Sequence, residues 1–202
     1  MTTAKDAPTR VDWAAGSWRN PPVSVTDEPD GGLLVAAAEG SDAWQKTSYG
    51  FVHDSEHALL RPFEPGAAIE VDYLATMSEQ FDQAGLLVRL DSEHWIKAGT
   101  EYADGALRVG AVVTDGYSDW STAPVADWSG RVVRVRASWA DDALTIRAGL
   151  VGEPLDLIRL ARWPVPAGGG VLAGPYCCAP TRAGFTARFV EWRSTGADAA
   201  LH

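Results

Sequence analysis

Hydrophobic and polar positions alternate along this chain in short runs that are separated by turn residues. In segment 82–90, apolar residues occupy nearly every second position, and the positions between them mix polar and small residues. Side chains of a strand point alternately to the two faces of its sheet, so this pattern predicts a strand with one face in the core. Runs with the period of a helix are scarce, and Gly, Pro and Asp recur between the alternating segments. The pattern therefore predicts an all-β protein.

Two tight turns frame the segment that carries the most chemistry. Asp91-Ser92-Glu93 precedes the alternating run 95–102, and Ala103-Asp104-Gly105 follows it. The Asp-Gly pair tolerates the positive φ angles of a hairpin turn, which favours antiparallel neighbours. In that arrangement, alternate side chains of two adjacent strands share one face of the sheet. We expect this face to carry Gln83, Arg89, Trp95, Lys97 and Glu101, and we take it as the candidate site.

Further alternating runs extend the strand pattern over most of the chain. They predict strands near 23–26, 33–38, 44–52, 69–77, 132–139, 144–150, 171–175 and 185–193. Segment 155–163 fits either a short helix or another strand. We expect a loosely held N-terminus at 1–10, one β-sandwich domain at 11–195 and a tail at 196–202, because 202 residues suffice for one substantial core.

Composition and charge exclude several classes of function. With 27 acidic and 17 basic residues, the chain has a formal charge of −10, whereas nucleic-acid binding needs a clustered positive surface. No apolar run approaches the roughly 18 residues of a membrane span, and the first ten residues lack the apolar core of a secretory signal. We expect a cytoplasmic protein that binds neither nucleic acid nor membrane. No phosphate-binding loop or zinc spacing is present, so we expect no cofactor and no metal.

Four segments resemble the successive signatures of a protein family of unknown function. They read SDAWQKTSYGFVHDSEHALL, FDQAGLLVRLDSEHWIKAGTEY, VVTDGYSDWS and GPYCCAPTRAGFTARF. The family is sometimes labelled "regulation of enolase" and belongs to the concanavalin A-like lectin/glucanase superfamily, and the resemblance spans about 15–193. It implies a jelly-roll sandwich of two antiparallel sheets with one concave face, which agrees with the alternation of the strands.

The polar and aromatic side chains of these signatures predict a ligand site on the concave face. The signature residues that we take as ligand-binding candidates are Trp44, Tyr49, Gln83, Arg89, Trp95, Lys97, Glu101, Asp119 and Trp120. Tryptophan stacks on the apolar face of a sugar, and arginine grips a carboxylate or phosphate at two points. We therefore expect a carbohydrate or a related polar small molecule to bind. The alternative is structural, with Lys97 or Arg89 pairing with Glu101 across strands to fix their register.

Catalysis is a weaker expectation than binding. Laminarinase-type members of the superfamily carry the pattern E-x-D-x-x-E on one strand. This chain has only Glu70 and Asp72 of such a pattern, and we expect both on the solvated face of their strand. Glu101 remains the one weak candidate for an acid or base. A protein-interaction or regulatory module is a further alternative, with a protein partner.

Two other motifs have simpler interpretations. The segment HDSEH, residues 53–57, matches the H-x-x-E-H spelling of certain zinc peptidases, whose mechanism needs a helix. Its flanks here look like strands, so we expect a solvated polar turn. Cys177 and Cys178 are adjacent and point to opposite faces of a strand, so we expect reduced packing residues and not a disulfide.

Overall fold

The computed structural model describes residues 7–166, 168 and 170–201, which form seventeen short strands and two single-turn 3-10 helices. The strands are β1 (Thr9–Arg10), β2 (Ser17–Arg19), β3 (Ser24–Asp27), β4 (Leu33–Ala36), β5 (Ala43–Gln45), β6 (Val52–Asp54), β7 (His57–Pro62), β8 (Ala67–Leu74), β9 (Gln83–Arg89), β10 (His94–Ala103), β11 (Ala106–Asp115), β12 (Ser118–Pro124), β13 (Val132–Ala140), β14 (Ala143–Leu150), β15 (Asp156–Arg162), β16 (Leu172–Cys178) and β17 (Thr186–Gly196). The helices are Trp13–Ala15 and Ala126–Trp128. Neither is long enough to cross a membrane, and no other helix occurs in these ranges.

The strands form two large antiparallel sheets that face each other. One sheet has the order β15-β14-β13-β8-β17-β4-β3, with β1 also paired to β17, and the other has the order β12-β11-β10-β9-β16-β7-β2. Strands β5 and β6 form a separate hairpin. Each sheet also pairs strands that are distant in the chain. Strand β9, for example, lies between β10 and β16. The prediction of an all-β, concanavalin A-like jelly-roll sandwich is confirmed.

The core lies between the two sheets and follows the alternation of the strands. Val71 of β8, Leu86 of β9 and Ile146 of β14 are fully buried in one cluster of apolar side chains. Burial of each such side chain contributes about 2 kcal/mol of hydrophobic free energy. Because each strand gives every second side chain to this core, the remaining side chains of the seven-stranded sheet are left for its outer face, where the candidate site lies.

Two predicted segments differ from the structure. Segment 44–52 is not one strand, because β5 ends at Gln45 and β6 begins at Val52. The loop between them holds Lys46, Ser48 and Gly50 at φ of 59°, 64° and 76°, left-handed values that break the alternation of a strand. Segment 155–163, which fitted a helix or a strand, contains strand β15.

The outer face of the eight-stranded sheet corrects the expectation for Glu70 and Asp72. Both carboxylates are buried, because arginine side chains from the neighbouring strands cover them. Arg134 Nε lies 2.7 Å from Asp72 Oδ1, and Arg136 Nη1 lies 2.9 Å from Glu70 Oε1. Arg193 contacts both carboxylates as well. These acids are therefore buried partners in an ion-pair network, and the prediction that they are solvated is wrong.

The described parts of the chain ends are attached to this same sheet. Thr9 and Arg10 pair with β17. Near the other end, Asp198 Oδ1 accepts a hydrogen bond of 2.7 Å from Arg136, and the backbone oxygen of Leu201 accepts one from Arg147. Within the predicted tail, Asp198 and Leu201 are thus bound to arginine side chains of the sheet, whereas Ala199 and Ala200 are exposed.

Candidate functional site

A cavity of about 330 Å³ lies on the outer, concave face of the seven-stranded sheet, beside the β5–β6 hairpin. Small-molecule pockets usually begin at about 300 Å³, so this cavity is large enough for a ligand of one or two rings. Its lining combines a polar floor with aromatic walls. The lining residues are Gly40, Asp42, Trp44, Tyr49, Phe51, His53, Phe81, Gln83, Lys97, Glu101, Val112, Trp120 and Pro180.

Strand register brings the sequence-predicted polar residues onto this face. Gln83 lies directly opposite Glu101 in the β9–β10 pair. Lys97 lies four residues before Glu101 on β10, and alternation gives both side chains the same face. Across β11 the series continues through Val112 to Trp120 of β12. Four adjacent strands therefore present one row of side chains to the cavity.

The polar floor is built on a buried lysine. Lys97 is only 4% exposed, and its Nζ donates to Asp42 Oδ1 at 3.0 Å and to Gln83 Oε1 at 2.8 Å. Asp42 Oδ1 also accepts from Gln83 Nε2 at 3.3 Å and from the backbone N–H of Ala43 at 2.8 Å. Burial acts to lower the pKa of Lys97, but the acidic groups around it, Asp42 foremost, together outweigh burial, and the pKa lies above its ordinary value. Lys97 is therefore a charged, matched and immobile group.

Glu101 stands next to this network without joining it. Its side chain is half-buried and lines the cavity, and no described residue donates a hydrogen bond to its carboxyl group or lies within ion-pair distance. Burial raises the pKa of Glu101 to about 7, and the nearby positive charges of Lys97 and Arg108 only partly oppose this effect. The carboxyl group is consequently available to a ligand and changes its charge near neutral pH.

One wall of the cavity is a ladder of aromatic rings on the β5–β6 hairpin. Trp44 contacts Tyr49 edge to face with 5.7 Å between ring centroids, and Tyr49 stacks on Phe51 at 5.2 Å with an interplanar angle of 8°. Phe51 then contacts His53 at 4.6 Å. Tyr49 is 58% exposed and Phe51 is 44% exposed. The rings thus present apolar surface at the entrance, facing the same cavity that Trp120 lines from β12.

The hairpin is held over the sheet at its turn. Lys46 Nζ lies 3.3 Å from the backbone oxygen of Gly116 and 3.5 Å from Glu93 Oε1, and it also sits over the ring of Tyr117 at 5.1 Å. The backbone N–H of Gln45 donates to Ser118 Oγ at 2.9 Å. These contacts join the loop to the end of the β10–β11–β12 segment, so the aromatic wall is a fixed part of the site.

A small recess extends from the cavity past Glu101. Its volume is about 10 Å³, and it shares Lys97, Glu101, Val112 and Trp120 with the cavity. Gly99 and Gly110 form its floor, and they are direct neighbours across the β10–β11 pair. A cavity of this size holds about one water-sized group.

Three sequence-predicted residues lie outside the cavity. Trp95 is fully buried in a second apolar cluster beneath the hairpin. Arg89 lies on the predicted face, but its guanidinium pairs with Asp54 at 2.9 Å and with Glu56 at 3.6 Å. Asp119 is exposed and pairs with Arg159 at 2.9 Å.

The alternative prediction, in which Glu101 forms a cross-strand ion pair that fixes the register, is wrong. Lys97 pairs with Asp42 and Arg89 pairs with Asp54 and Glu56, so neither forms the cross-strand ion pair with Glu101 that was considered. The face does hold ion pairs, but their carboxylates come from the loop before β5 and from the end of the hairpin. Because Lys97 and Arg89 pair with these other carboxylates, Glu101 has no ion-pair partner among the described residues.

Sequence analysis missed several lining residues, among them Asp42, Phe51, His53 and Phe81. Asp42 stands two residues before Trp44 in the first signature segment, so the same motif contained the signal. The alternation predicts Phe51 on a continuous strand and His53 in a polar turn. The left-handed residues of the loop change the direction of both side chains. Phe81 itself has φ of 66° at the entrance to β9.

The segment HDSEH is neither a helix nor a solvated turn. Glu56 is fully buried and accepts a hydrogen bond of 3.1 Å from Arg19, and burial raises its pKa. His57 accepts from the backbone N–H of Ala38 at 3.0 Å, and its other ring nitrogen lies 2.7 Å from the backbone oxygen of Asn20. Within 7–166, 168 and 170–201, no three His, Cys, Asp or Glu side chains are grouped to hold a metal ion.

Comparison with known proteins gives two kinds of similarity. The chain is 38% identical over 182 residues to "Regulation of enolase protein 1" of Saccharomyces cerevisiae, which covers 89% of each protein. A crystal structure of a functionally unknown protein from Saccharomyces cerevisiae has a TM-score of 0.85 at 34% identity, covering 92% of this chain and 98% of that one.

A more distant similarity concerns the fold alone. The structure of xylan beta-1,4-xylosidase from Bacillus halodurans C-125 has a TM-score of 0.65 at 16% identity, and the match covers 96% of this chain but 40% of the enzyme. At this identity the similarity shows a shared fold, and it gives no information about the function of the residues in the site. The family described as "Protein of unknown function (DUF1349)" matches residues 18–197, which is almost the whole sandwich, and the chain therefore belongs to this family.

Proposed function

We propose that this protein binds a carbohydrate in the cavity on its concave face. The observation that carries the proposal is the pairing of an aromatic wall with a polar floor across one cavity of about 330 Å³. Sugars have apolar faces of C–H groups and a rim of hydroxyl groups, so they fit a site with both kinds of surface. A purely apolar ligand would cover the carboxyl group of Glu101 without offering it a hydrogen-bond donor, which is costly for a buried polar group.

Each surface has residues suited to its part in binding. Trp120 and Tyr49 offer exposed ring area for stacking on a sugar face. Glu101 and the second oxygen of Asp42, to which no described residue donates a hydrogen bond, are able to accept hydrogen bonds from hydroxyl groups. The Lys97 network keeps the floor in place, since its members are already hydrogen-bonded to each other. Preorganised polar groups lose little entropy when a ligand binds.

The test is a calorimetric titration of the protein with a panel of neutral, acidic and amino mono- and disaccharides. At least one sugar should bind, and Trp120→Ala should weaken its binding about tenfold, which corresponds to about 1.4 kcal/mol of lost stacking. Leu160→Ala is the matched control, because Leu160 is a large exposed apolar residue on the other sheet.

Two results would contradict the proposal. One is the absence of binding for every sugar in the panel. The other is a sugar whose affinity is the same in the wild-type protein and in Trp120→Ala. If no sugar binds, the exposed Tyr49, Phe51 and Val52 of the hairpin become the candidate surface for a protein partner.

A glycan-cleaving activity is the second candidate, and one observation favours it. Glu101 has a pKa of about 7 inside the cavity, so at neutral pH it holds a proton part of the time and is able to act as acid or base. Hydrolysis normally uses two carboxyl groups, and Asp42 is the second one here, already hydrogen-bonded to Lys97. Release of reducing ends from the bound glycan, lost in Glu101→Gln, would establish this activity; binding without release would exclude it for that glycan.

A further inference from the structure

The charges of the cavity are not balanced, and the imbalance bears on which sugar binds. Among the described residues that line the cavity, Lys97 is the one lysine or arginine, and its charge is matched by Asp42 at 3.0 Å. Glu101 is left as a second carboxyl group without a cationic partner within ion-pair distance among the described residues. When it is ionised, the cavity has a surplus of one negative charge.

The recess beside Glu101 limits the size of the group that approaches it. With about 10 Å³ it admits one group of the size of water, such as a hydroxyl or an ammonium. A bulkier substituent such as an acetamido group exceeds this volume. Trp120 and Tyr176 line the same recess together with Lys97, whose charge is matched by Asp42, and aromatic rings attract cations through their π faces.

Resting on the proposed carbohydrate binding, we infer that the preferred ligand is an amino sugar whose ammonium group occupies the recess against Glu101. The unmatched carboxylate supplies charge-assisted hydrogen bonds to the ammonium. The aromatic walls stack on the ring of the sugar. The overall charge of −10 favours the approach of a cationic ligand.

The inference predicts a particular order of affinities among sugars that differ at one substituent. Glucosamine and galactosamine should bind about tenfold or more tightly than glucose and galactose, and also more tightly than their N-acetyl forms. In Glu101→Gln the advantage of the amino sugars over the neutral sugars should disappear, because the amide keeps an acceptor oxygen for hydroxyl groups but carries no charge for the ammonium. Glu153→Gln, a change of an exposed glutamate elsewhere on the surface, should keep the advantage.

The pH dependence gives a second, independent readout. The charged groups around Glu101 are Lys97, Asp42, Arg108 and Asp104, and His53 also lines the cavity. Amino-sugar affinity should rise with pH up to about 7 as Glu101 ionises, and fall at higher pH when the amine of the ligand loses its proton. Neutral sugars should lack the rising limb. His53→Gln should retain it and Glu101→Gln should lose it, which assigns the rising limb to Glu101.

Calorimetric titration of the wild-type protein and these variants decides between the outcomes. Equal or tighter binding of neutral or acetylated sugars would overturn the amino-sugar assignment and leave the carbohydrate site in place. An amino-sugar preference that persists in Glu101→Gln would overturn the role of this residue. Failure of every sugar to bind would contradict the proposed function together with the inference.

Discussion

Glu101 and Asp42 line the same cavity in opposite electrostatic situations. Asp42 accepts hydrogen bonds from an ammonium, an amide and a backbone N–H, whereas Glu101 accepts none from the described residues. A carboxyl group that loses water on folding and gains no donor prefers its neutral form. The structure thereby keeps one carboxylate as part of the scaffold and leaves the other responsive to pH and to ligands.

The raised pKa of Glu101 predicts how stability depends on pH. Its ordinary value is 4.5 and its value in the folded protein is about 7. Between these values the unfolded chain releases the proton while the folded protein keeps it, so the contribution of Glu101 to the free energy of unfolding falls as the pH rises. Glu101→Gln removes this loss and should raise the free energy of unfolding by about 2 kcal/mol at about pH 8, with little effect at about pH 4.

Urea unfolding of the two proteins at both pH values measures this difference. Glu64→Gln serves as control, because the exposed side chain of Glu64 should give the same small change in the free energy of unfolding at each pH. A Glu101→Gln effect that is equal at the two pH values would show that desolvation of the carboxylate is not its cause.

At the scale of elements, a row of glycines shapes the floor of the site. Gly85 of β9, Gly99 of β10 and Gly110 of β11 are direct neighbours across the sheet. A Cβ atom on Gly99 would lie 2.2 Å from the backbone oxygen of Ala84, and one on Gly110 would lie 2.2 Å from that of Ser121. The strands approach each other here in a way that only glycine permits, and this approach leaves the recess open.

Replacement of one of these glycines should therefore destabilise the whole sandwich. Gly99→Ala should lower the free energy of unfolding by about 3 kcal/mol, because the added methyl group collides with backbone that cannot rotate away. Thermal or urea unfolding measures the loss. Gly168→Ala is the matched control, since a Cβ there meets nothing within 4 Å and the backbone is not left-handed. Equal stability of Gly99→Ala and the wild-type protein would contradict the close approach of β9 and β10.

At the scale of the whole molecule, the two cysteines report on both sides of the seven-stranded sheet. Cys177 packs into the core between the sheets, and Cys178 packs into the second apolar cluster under the hairpin. Both are free and fully buried. Burial raises the pKa of Cys177 to about 12 and that of Cys178 well above its ordinary value.

The native protein should consequently resist thiol reagents. A thiol reacts through its thiolate, which is scarce at neutral pH when the pKa is this high. A disulfide reagent should label neither cysteine in the folded protein, and both should react together as urea unfolds it, with the labelled fraction following the loss of strand signal in circular dichroism. Rapid labelling of one cysteine without urea would instead reveal local opening of β16 on the corresponding side.

The sequence alone determined the central strands and the face on which the polar residues of the site lie. Alternation at 82–90 and 95–102 with a short turn between them predicts β9 and β10, and the same period places Gln83, Lys97 and Glu101 on one face. These inferences hold because strand alternation and tight turns are local properties of the chain. The family resemblance added the two-sheet architecture, which the structure confirms.

Only the tertiary structure decided which partner each charged residue has. Lys97 binds Asp42, which is 55 positions away, and Arg89 binds Asp54, so Glu101 is left free. The path of the β5–β6 hairpin, set by left-handed residues such as Ser48, turns Phe51 towards the cavity. Such contacts depend on how distant segments pack over the sheet, and no local pattern encodes them, because alternation assigns a side chain to a face but not to the residue that meets it there.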